Sequence, residues 1–127
     1  MARFLWVCVG GAVGTGARYA IAGWAARRFG SDFPYGTLLV NVVGSFAIAL
    51  IMQLSLTTGV VSPSLRVFLT VGVLGGFTTY SAFNYETLGY LQSGAWLMGS
   101  INVLAMVIAC LVAGLAGLAS ARLLVGS

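Results

Sequence analysis

The sequence predicts an all-α membrane protein with four transmembrane helices, the third of them broken at mid-membrane. The class follows from composition, because 60% of the 127 residues are hydrophobic, only 6% are charged, and the mean hydropathy is +1.04. A water-soluble chain of this size needs more polar side chains to cover its surface. The break follows from paired glycines and threonines inside an apolar segment, residue types that disfavour an unbroken helix. We expect residues 1–127 to form a single transmembrane domain.

The first two helices are predicted over residues 4–26 and 35–56, each long enough for a hydrocarbon core that takes about 20 helical residues. Gly10 and Gly14 form a small-xxx-small surface that another helix can approach closely. Arg18 lies inside the first helix, where a guanidinium either snorkels to the interface or faces a wet vestibule that attracts anions. Both interpretations of this arginine stay open. The first helix is expected to be retained, because its apolar run continues past the length of a signal peptide.

Polar side chains follow one face of the second helix. Thr37, Asn41 and Ser45 are spaced by four residues and therefore share that face. An amide exposed to lipid is costly, so this face is expected to look at protein or water. The sequence leaves two interpretations of Asn41, an interhelical hydrogen bond and a hydrogen-bond donor that lines a pore.

The third segment is predicted over residues 65–91 with a break at 75–79, so that two half-helices replace one span. Hydrocarbon cannot satisfy freed N–H and C=O groups, and a break at membrane depth is tolerated only where protein buries it or water reaches it. Helix ends and free carbonyls there can hold a small ion. The break therefore predicts a site.

Aromatic and hydrogen-bonding side chains share one face of the second half-helix. An aromatic ring has a positive edge, so a ring turned edge-on can favour an anion, although a stripe of this kind more often serves packing. Because this face lies beside the break and an intramembrane asparagine, an anion-binding role for it is favoured over packing alone. Its members are Tyr80, Phe83, Asn84 and Thr87.

The fourth helix is predicted over residues 95–125. A small residue recurs at every fourth position, at Ala113, Gly117 and Ala121, which predicts a second close packing face. Asn102 lies near the start of this helix, and we expect it to be a cap or an interface contact.

Composition excludes several function classes. The chain has no histidine, so it offers no His-based metal site, catalytic triad or proton relay. Cys8 and Cys110 lie in apolar runs, which suits packing better than a disulfide. The sequence offers no nucleophile–base pair, so it does not indicate an enzyme. The net charge of +4 comes from arginines near membrane edges, which does not indicate nucleic-acid binding.

The arginines are divided almost evenly between the two sides of the membrane. Because an excess of Lys and Arg in short loops sets orientation, a balanced chain is expected to insert both ways round. Dual insertion makes an antiparallel dimer possible, with a two-fold axis in the membrane plane near the break. Arg3, Arg66 and Arg122 fall on the side of the termini, and Arg18, Arg27 and Arg28 fall on the other.

The chain resembles the Fluc-type fluoride channels, small four-helix fluoride exporters of bacteria, along essentially its whole length. The resemblance is carried by the region from Gly10 to Arg18, by residues 36–44, and above all by residues 75–83 with Glu86 after them. It implies passive, fluoride-selective export through two pores of an antiparallel dimer in the bacterial inner membrane. The implied partners are fluoride, a second copy of the chain or a related subunit, and the lipid bilayer.

The resemblance also implies roles for individual residues. The backbone carbonyls of Gly75 and Thr78 from both subunits would hold a structural Na⁺ at the dimer centre, since carbonyl oxygens suit a hard cation. Asn41 would donate its amide to fluoride, Phe83 would present a ring edge, and Arg18 would draw anions into a vestibule. Tyr80 and Ser81 join the fluoride pathway, and Thr37, Thr79, Asn84 and Glu86 take vestibule or structural roles. Because a carboxylate repels fluoride, a structural hydrogen bond is expected for Glu86.

Four positions depart from the family pattern. Tyr80 stands where phenylalanine is usual, Ala82 replaces a hydroxyl residue, and Met106 and Cys110 replace polar residues of the fourth helix. One alternative is therefore a subunit of a heterodimeric fluoride channel. A small multidrug exchanger is a second, although such a protein needs a carboxylate in the first span, where this chain has Arg18. A non-transporting assembly factor would explain the small-residue faces but not the break.

Overall fold

The computed structural model describes residues 1–126, and within that range the chain is helical without strands. The all-α prediction with four helical segments is confirmed. Three helices are long and apolar enough to cross a membrane, namely Ala2–Phe29, Tyr35–Thr58 and Trp96–Val125. In chain order the elements are α1 (Ala2–Phe29), α2 (Tyr35–Thr58), α3 (Pro63–Val67), a π-helical turn (Phe68–Val73), α4 (Leu74–Phe77), α5 (Tyr80–Gln92) and α6 (Trp96–Val125).

The backbone of the third segment differs from the expected pattern in two respects. Residues 68–73 are π-helical, where the sequence predicts a plain α-helix. Non-helical backbone is confined to Thr78 and Thr79, both extended, and is narrower than the expected interval of 75–79 because Gly75 and Gly76 belong to α4. The segment therefore consists of a first part, residues 63–77, and a second part, α5.

Glycines bring α1 into backbone contact with the first part of the third segment. A methyl group on Gly14 would lie 1.9 Å from the carbonyl oxygen of Val73, and one on Gly76 would lie 2.4 Å from that of Gly11. Gly10 and Gly14 are buried in this contact, which confirms the close-packing face predicted for α1. The approach is closer than any side chain would allow.

Helix α2 lies at the centre of the bundle and packs most extensively on α6. Gly117 of α6 meets the backbone of α2, since a methyl group there would lie 2.4 Å from the carbonyl oxygen of Phe46. Val40 of α2 packs with Leu74 and Phe77 of α4 in a small buried core. Large apolar side chains on the outer faces are exposed, as lipid-facing surfaces require.

Polar contacts identify which termini lie at the same end of the bundle. Arg3 at the start of α1 donates to Ser64 at 3.4 Å, and Arg66 donates to Ser55 near the end of α2 at 3.3 Å. The two arginines therefore lie at one end, as an up-and-down arrangement of four segments demands.

Candidate functional site

The side chain of Asn41 satisfies the backbone that leaves the helix at Thr79. Its amide nitrogen donates to the Thr79 carbonyl at 2.8 Å, and its amide oxygen accepts from the Thr79 N–H at 2.8 Å. The asparagine thus replaces a neighbouring peptide group, so the interhelical hydrogen bond considered from the sequence is present. The amide nitrogen also lies 3.5 Å from the Met106 sulfur, a weak acceptor.

Carbonyl oxygens next to the interruption fall into two groups. The Gly76 oxygen accepts from Nε of Arg18 at 2.9 Å and from Thr15 at 3.5 Å. Within residues 1–126, the carbonyls of Gly75 and Thr78 accept no hydrogen bond from outside the helix that each belongs to or borders. Two carbonyls near the interruption are therefore left for another partner.

Helix α5 begins at the interruption with a side-chain cap. Oγ1 of Thr79 accepts from the N–H of Ala82 at 3.3 Å and lies 3.5 Å from Oγ of Ser81. The remaining N–H groups of the first turn give this end of the helix a partial positive charge. The structure thus places a weakly anion-attracting helix end beside the interruption.

A cavity of about 570 Å³ lies against the interruption, and its lining side chains are uncharged. Phe83 is 7% exposed, whereas Tyr80 is 76% exposed, and their rings meet edge to face with centroids 5.6 Å apart. Met106 and Cys110 of α6 also line this cavity. The site residues that the structure brings together around this cavity are Asn41, Gly75, Thr78, Thr79, Tyr80 and Phe83.

A second cavity, of about 300 Å³, lies between α1, α2 and α5. Arg18, Thr37 and Glu86 line it, and the Thr37 hydroxyl donates to one carboxylate oxygen of Glu86 at 2.6 Å. This is the structural hydrogen bond expected for Glu86. The other carboxylate oxygen is buried without a partner among the described residues. Thr79 and Ala82 also line this cavity, so both cavities border the start of α5.

Two predicted site residues lie outside both cavities. Ser81 and Asn84 are exposed on α5 and line neither. The face expected to hold Tyr80, Phe83, Asn84 and Thr87 together is therefore divided, because only the two aromatic residues line the larger cavity.

Asn102 is a buried residue whose position the sequence interpretation got wrong. It is 1% exposed, and its amide nitrogen donates to the Thr87 hydroxyl at 3.0 Å. Thr87 in turn donates to the Phe83 carbonyl at 2.8 Å, and the Asn102 oxygen has no partner among residues 1–126. Asn102 is thus neither a cap nor an interface contact. Its spacing of four residues from Met106 already indicates that the two share an inward face.

A family model and several relatives match this chain over most of its length. A family model described as CrcB-like protein, Camphor Resistance (CrcB), matches residues 5–118. A fluoride-specific ion channel FluC from Anaeromyxobacter sp. (strain K) is 56% identical, with 99% of this chain and 100% of the relative covered. FluC proteins from Sorangium cellulosum and Geobacter sulfurreducens are 47% and 50% identical, with at least 96% of this chain covered.

Proposed function

The chain belongs to the CrcB-like protein family, and on that premise we propose that this multi-pass integral membrane protein is a fluoride-selective ion channel of a bacterial inner membrane. The observation that carries the proposal is full-length similarity to relatives named as fluoride-specific ion channels. Conduction is passive, involves no chemical step and lowers cytoplasmic fluoride. Family membership also sets aside the multidrug-exchanger and assembly-factor alternatives.

The cavity beside the interruption is the part of the structure that best suits a fluoride route. One N–H of Asn41 faces only the weak acceptor Met106, and so it is free to turn to an anion. Phe83 and Tyr80 line the same cavity, and the edges of their rings carry partial positive charge. An uncharged cavity with these weak donors compensates fluoride for part of its lost water without binding it irreversibly.

Arg18 and Glu86 belong to the second cavity, which we assign to the vestibule. Arg18 keeps donor groups besides the Nε that binds Gly76, and these supply positive charge at the mouth. Thr37 holds the Glu86 carboxylate through its hydroxyl, which limits the repulsion that a mobile carboxylate would exert on an anion.

The carbonyls of Gly75 and Thr78 suit a structural Na⁺. Both residues line the larger cavity, and neither oxygen takes part in the hydrogen bonds found around the interruption within residues 1–126. Backbone oxygens are ligands that a hard cation accepts. Two such carbonyls from each of two chains complete a four-oxygen site, and the bound cation adds positive charge near the anion route.

An antiparallel dimer brings these carbonyls together. The balanced arginines permit both orientations in the membrane, and Gly75 lies exposed on the single chain. A two-fold axis in the membrane plane then relates the two interruptions at mid-membrane depth and generates two fluoride routes.

A second candidate is one subunit of a two-component fluoride channel. The specific observation is that α6 presents the sulfur atoms of Met106 and Cys110 to the cavity, where the family pattern has polar groups. A partner chain with hydroxyl residues there would supply a complete route.

Fluoride efflux from proteoliposomes tests the proposal. Vesicles containing the purified protein are loaded with fluoride or chloride, and release is followed with ion-selective electrodes. We expect fluoride release without chloride release. Absence of fluoride release from an intact dimer contradicts the homodimeric channel and favours the two-component candidate.

Sodium is tested in the same vesicles. Replacing Na⁺ by K⁺ or N-methylglucamine on both sides is expected to lower fluoride flux and weaken the dimer on size-exclusion chromatography, because the freed carbonyls lose their partner. Flux and dimer content that do not change after exhaustive sodium removal contradict the sodium site.

A further inference from the structure

Two sulfur atoms of α6 lie side by side on the wall of the larger cavity. Met106 and Cys110 are four residues apart and share one helix face. The Cys110 thiol donates to the Met106 sulfur at 3.7 Å, and both residues line the cavity. Met106 is only 6% exposed, so its thioether is fixed by packing. A thiol and a thioether are therefore held together at a surface that the cavity makes accessible.

We propose that Met106 and Cys110 form a binding site for a soft monovalent cation, Cu⁺ or Ag⁺. Thiolate and thioether sulfur are the ligands that such ions select. The S–H···S contact already directs the thiol proton and a thioether lone pair to one point between the sulfurs. The cation takes the place of that proton, which leaves Cys110 for water as the metal–thiolate bond forms.

Charge balance favours a monovalent ion at this position. The cavity is lined by uncharged side chains, and the thiolate formed at Cys110 neutralises one positive charge. A divalent ion would keep a net charge in a poorly solvated place, which is costly. Sodium prefers oxygen ligands, so this site is chemically distinct from the carbonyls of Gly75 and Thr78.

An ion at the two sulfurs narrows the cavity that Phe83 also lines, and it occupies the acceptor that Asn41 faces. Inhibition of fluoride flux by silver rests on the proposed function, because it requires that this cavity carry fluoride. Binding of silver does not, because it depends only on the two sulfurs.

Binding is measured by titrating the detergent-solubilised protein with silver nitrate in chloride-free buffer and counting bound silver by intact-protein mass spectrometry. Cys8 is an exposed thiol on α1 that does not line the cavity, so the comparison uses a Cys8→Ala chain. We expect one tightly bound Ag⁺ per chain. Adding Cys110→Ser is expected to weaken binding at least a hundredfold, and adding Met106→Leu at least tenfold.

The Met106→Leu variant decides whether the site is real, because it keeps the thiol and removes only the thioether. Silver affinity equal to that of the Cys8→Ala parent overturns the proposal, since a single thiol then accounts for binding. Retained binding in the Cys110→Ser variant overturns it as well. Weakened binding in both variants supports it.

Flux measurements place the site on the fluoride route. Micromolar silver nitrate is expected to block fluoride release from vesicles of the Cys8→Ala protein and to spare the Cys110→Ser variant to the extent that this variant conducts. Tight silver binding without block overturns the position of the site on the route. A protein that binds silver but releases no fluoride before silver is added supports the sulfur site and contradicts the proposed function.

Discussion

The two parts of the third segment differ in the contacts that hold them in the bundle. The first part, residues 63–77, packs on α1 through glycines so close that a methyl group on Gly14 would lie 1.9 Å from a carbonyl oxygen. The second part, α5, is held mainly by side-chain hydrogen bonds, from Thr37 to Glu86 and from Asn102 to Thr87. Asn41 bonds the Thr79 backbone where the two parts meet.

The first part is thus positioned mainly by close backbone packing, and α5 mainly by hydrogen bonds between side chains. Direct contact between backbones holds the first part in one position, because no side chain there can move aside. Such rigidity suits a segment whose carbonyls are to bind an ion. Hydrogen-bonded side chains leave donors and acceptors at the surface of a cavity, which suits a segment that lines a route for an ion. The following predictions test this division, from the largest expected effect to the smallest.

Gly14→Ala is expected to have the largest effect, because its methyl group clashes with the Val73 backbone, which cannot move aside. Overpacking against backbone should cost about 3 kcal/mol or more. Thermal unfolding in detergent measures the loss. Gly16→Ala is the matched control, since nothing lies within 4 Å of its methyl position. An equal melting temperature for both variants contradicts the steric contact.

Asn41→Leu is expected to have the next largest effect, because it leaves the N–H of Thr79 without its partner and removes the amide donor from the Thr79 carbonyl. Each unsatisfied buried group costs about 1–3 kcal/mol, and fluoride release should fall with the distorted cavity. Thermal unfolding and electrode measurements report the two effects. Gln53→Ala, an amide on the same helix outside the cavity lining, should change neither. Full stability in Asn41→Leu would show that the amide does not support the interruption.

Thr37→Val and Glu86→Leu test the hydrogen bond that ties α5 to α2, because each substitution removes one of its partners. A hydrogen bond to a charged group contributes about 1.5–3 kcal/mol, whereas one to a neutral group contributes about 1 kcal/mol. A double-mutant cycle on thermal stability is expected to give a coupling energy of about 1–3 kcal/mol. Additive effects of the two substitutions would contradict direct contact between the side chains.

Thr87→Val and Asn102→Leu are expected to have the smallest effects and to differ from each other. Thr87→Val leaves the amide nitrogen of Asn102 without its partner and should cost about 1–2 kcal/mol. Asn102→Leu removes that nitrogen together with the unpartnered oxygen, so its cost should lie within about 1 kcal/mol of zero. Thermal unfolding compares them. A larger loss in Asn102→Leu would mean that its oxygen has a partner, such as a bound water.

Much of the fold follows from hydrophobic pattern and residue type. Apolar length predicts α1, α2 and α6, and the small residues Gly10, Gly14 and Gly117 predict two close helix contacts, because only a residue without a bulky side chain permits backbone approach. The π-helical turn over 68–73 was missed, since its residues carry no distinctive propensity. This turn packs on α1, a contact that is not visible in the residues of the turn themselves.

For the site, the sequence identifies the polar residues but not their partners. Asn41 was interpreted as either a hydrogen bond between helices or a pore donor, and the structure shows two bonds to Thr79. Asn102 was placed at an interface and is in fact buried, because its distance from the end of α6 says nothing about which helix covers it. Hydrogen-bond partners depend on helix rotation, which a hydrophobic pattern in lipid specifies poorly.

The sequence by itself determined that this is a membrane protein with four helical segments, where glycine lets helices meet and where the third segment is weak, because these follow from local composition and spacing. Only the tertiary structure decided that the interruption is limited to Thr78 and Thr79, that Arg18 binds the Gly76 carbonyl, and that Met106 and Cys110 face the same cavity as Asn41. The last two are contacts between residues far apart in the chain. Such contacts are fixed by how the helices pack together and not by any one helix alone.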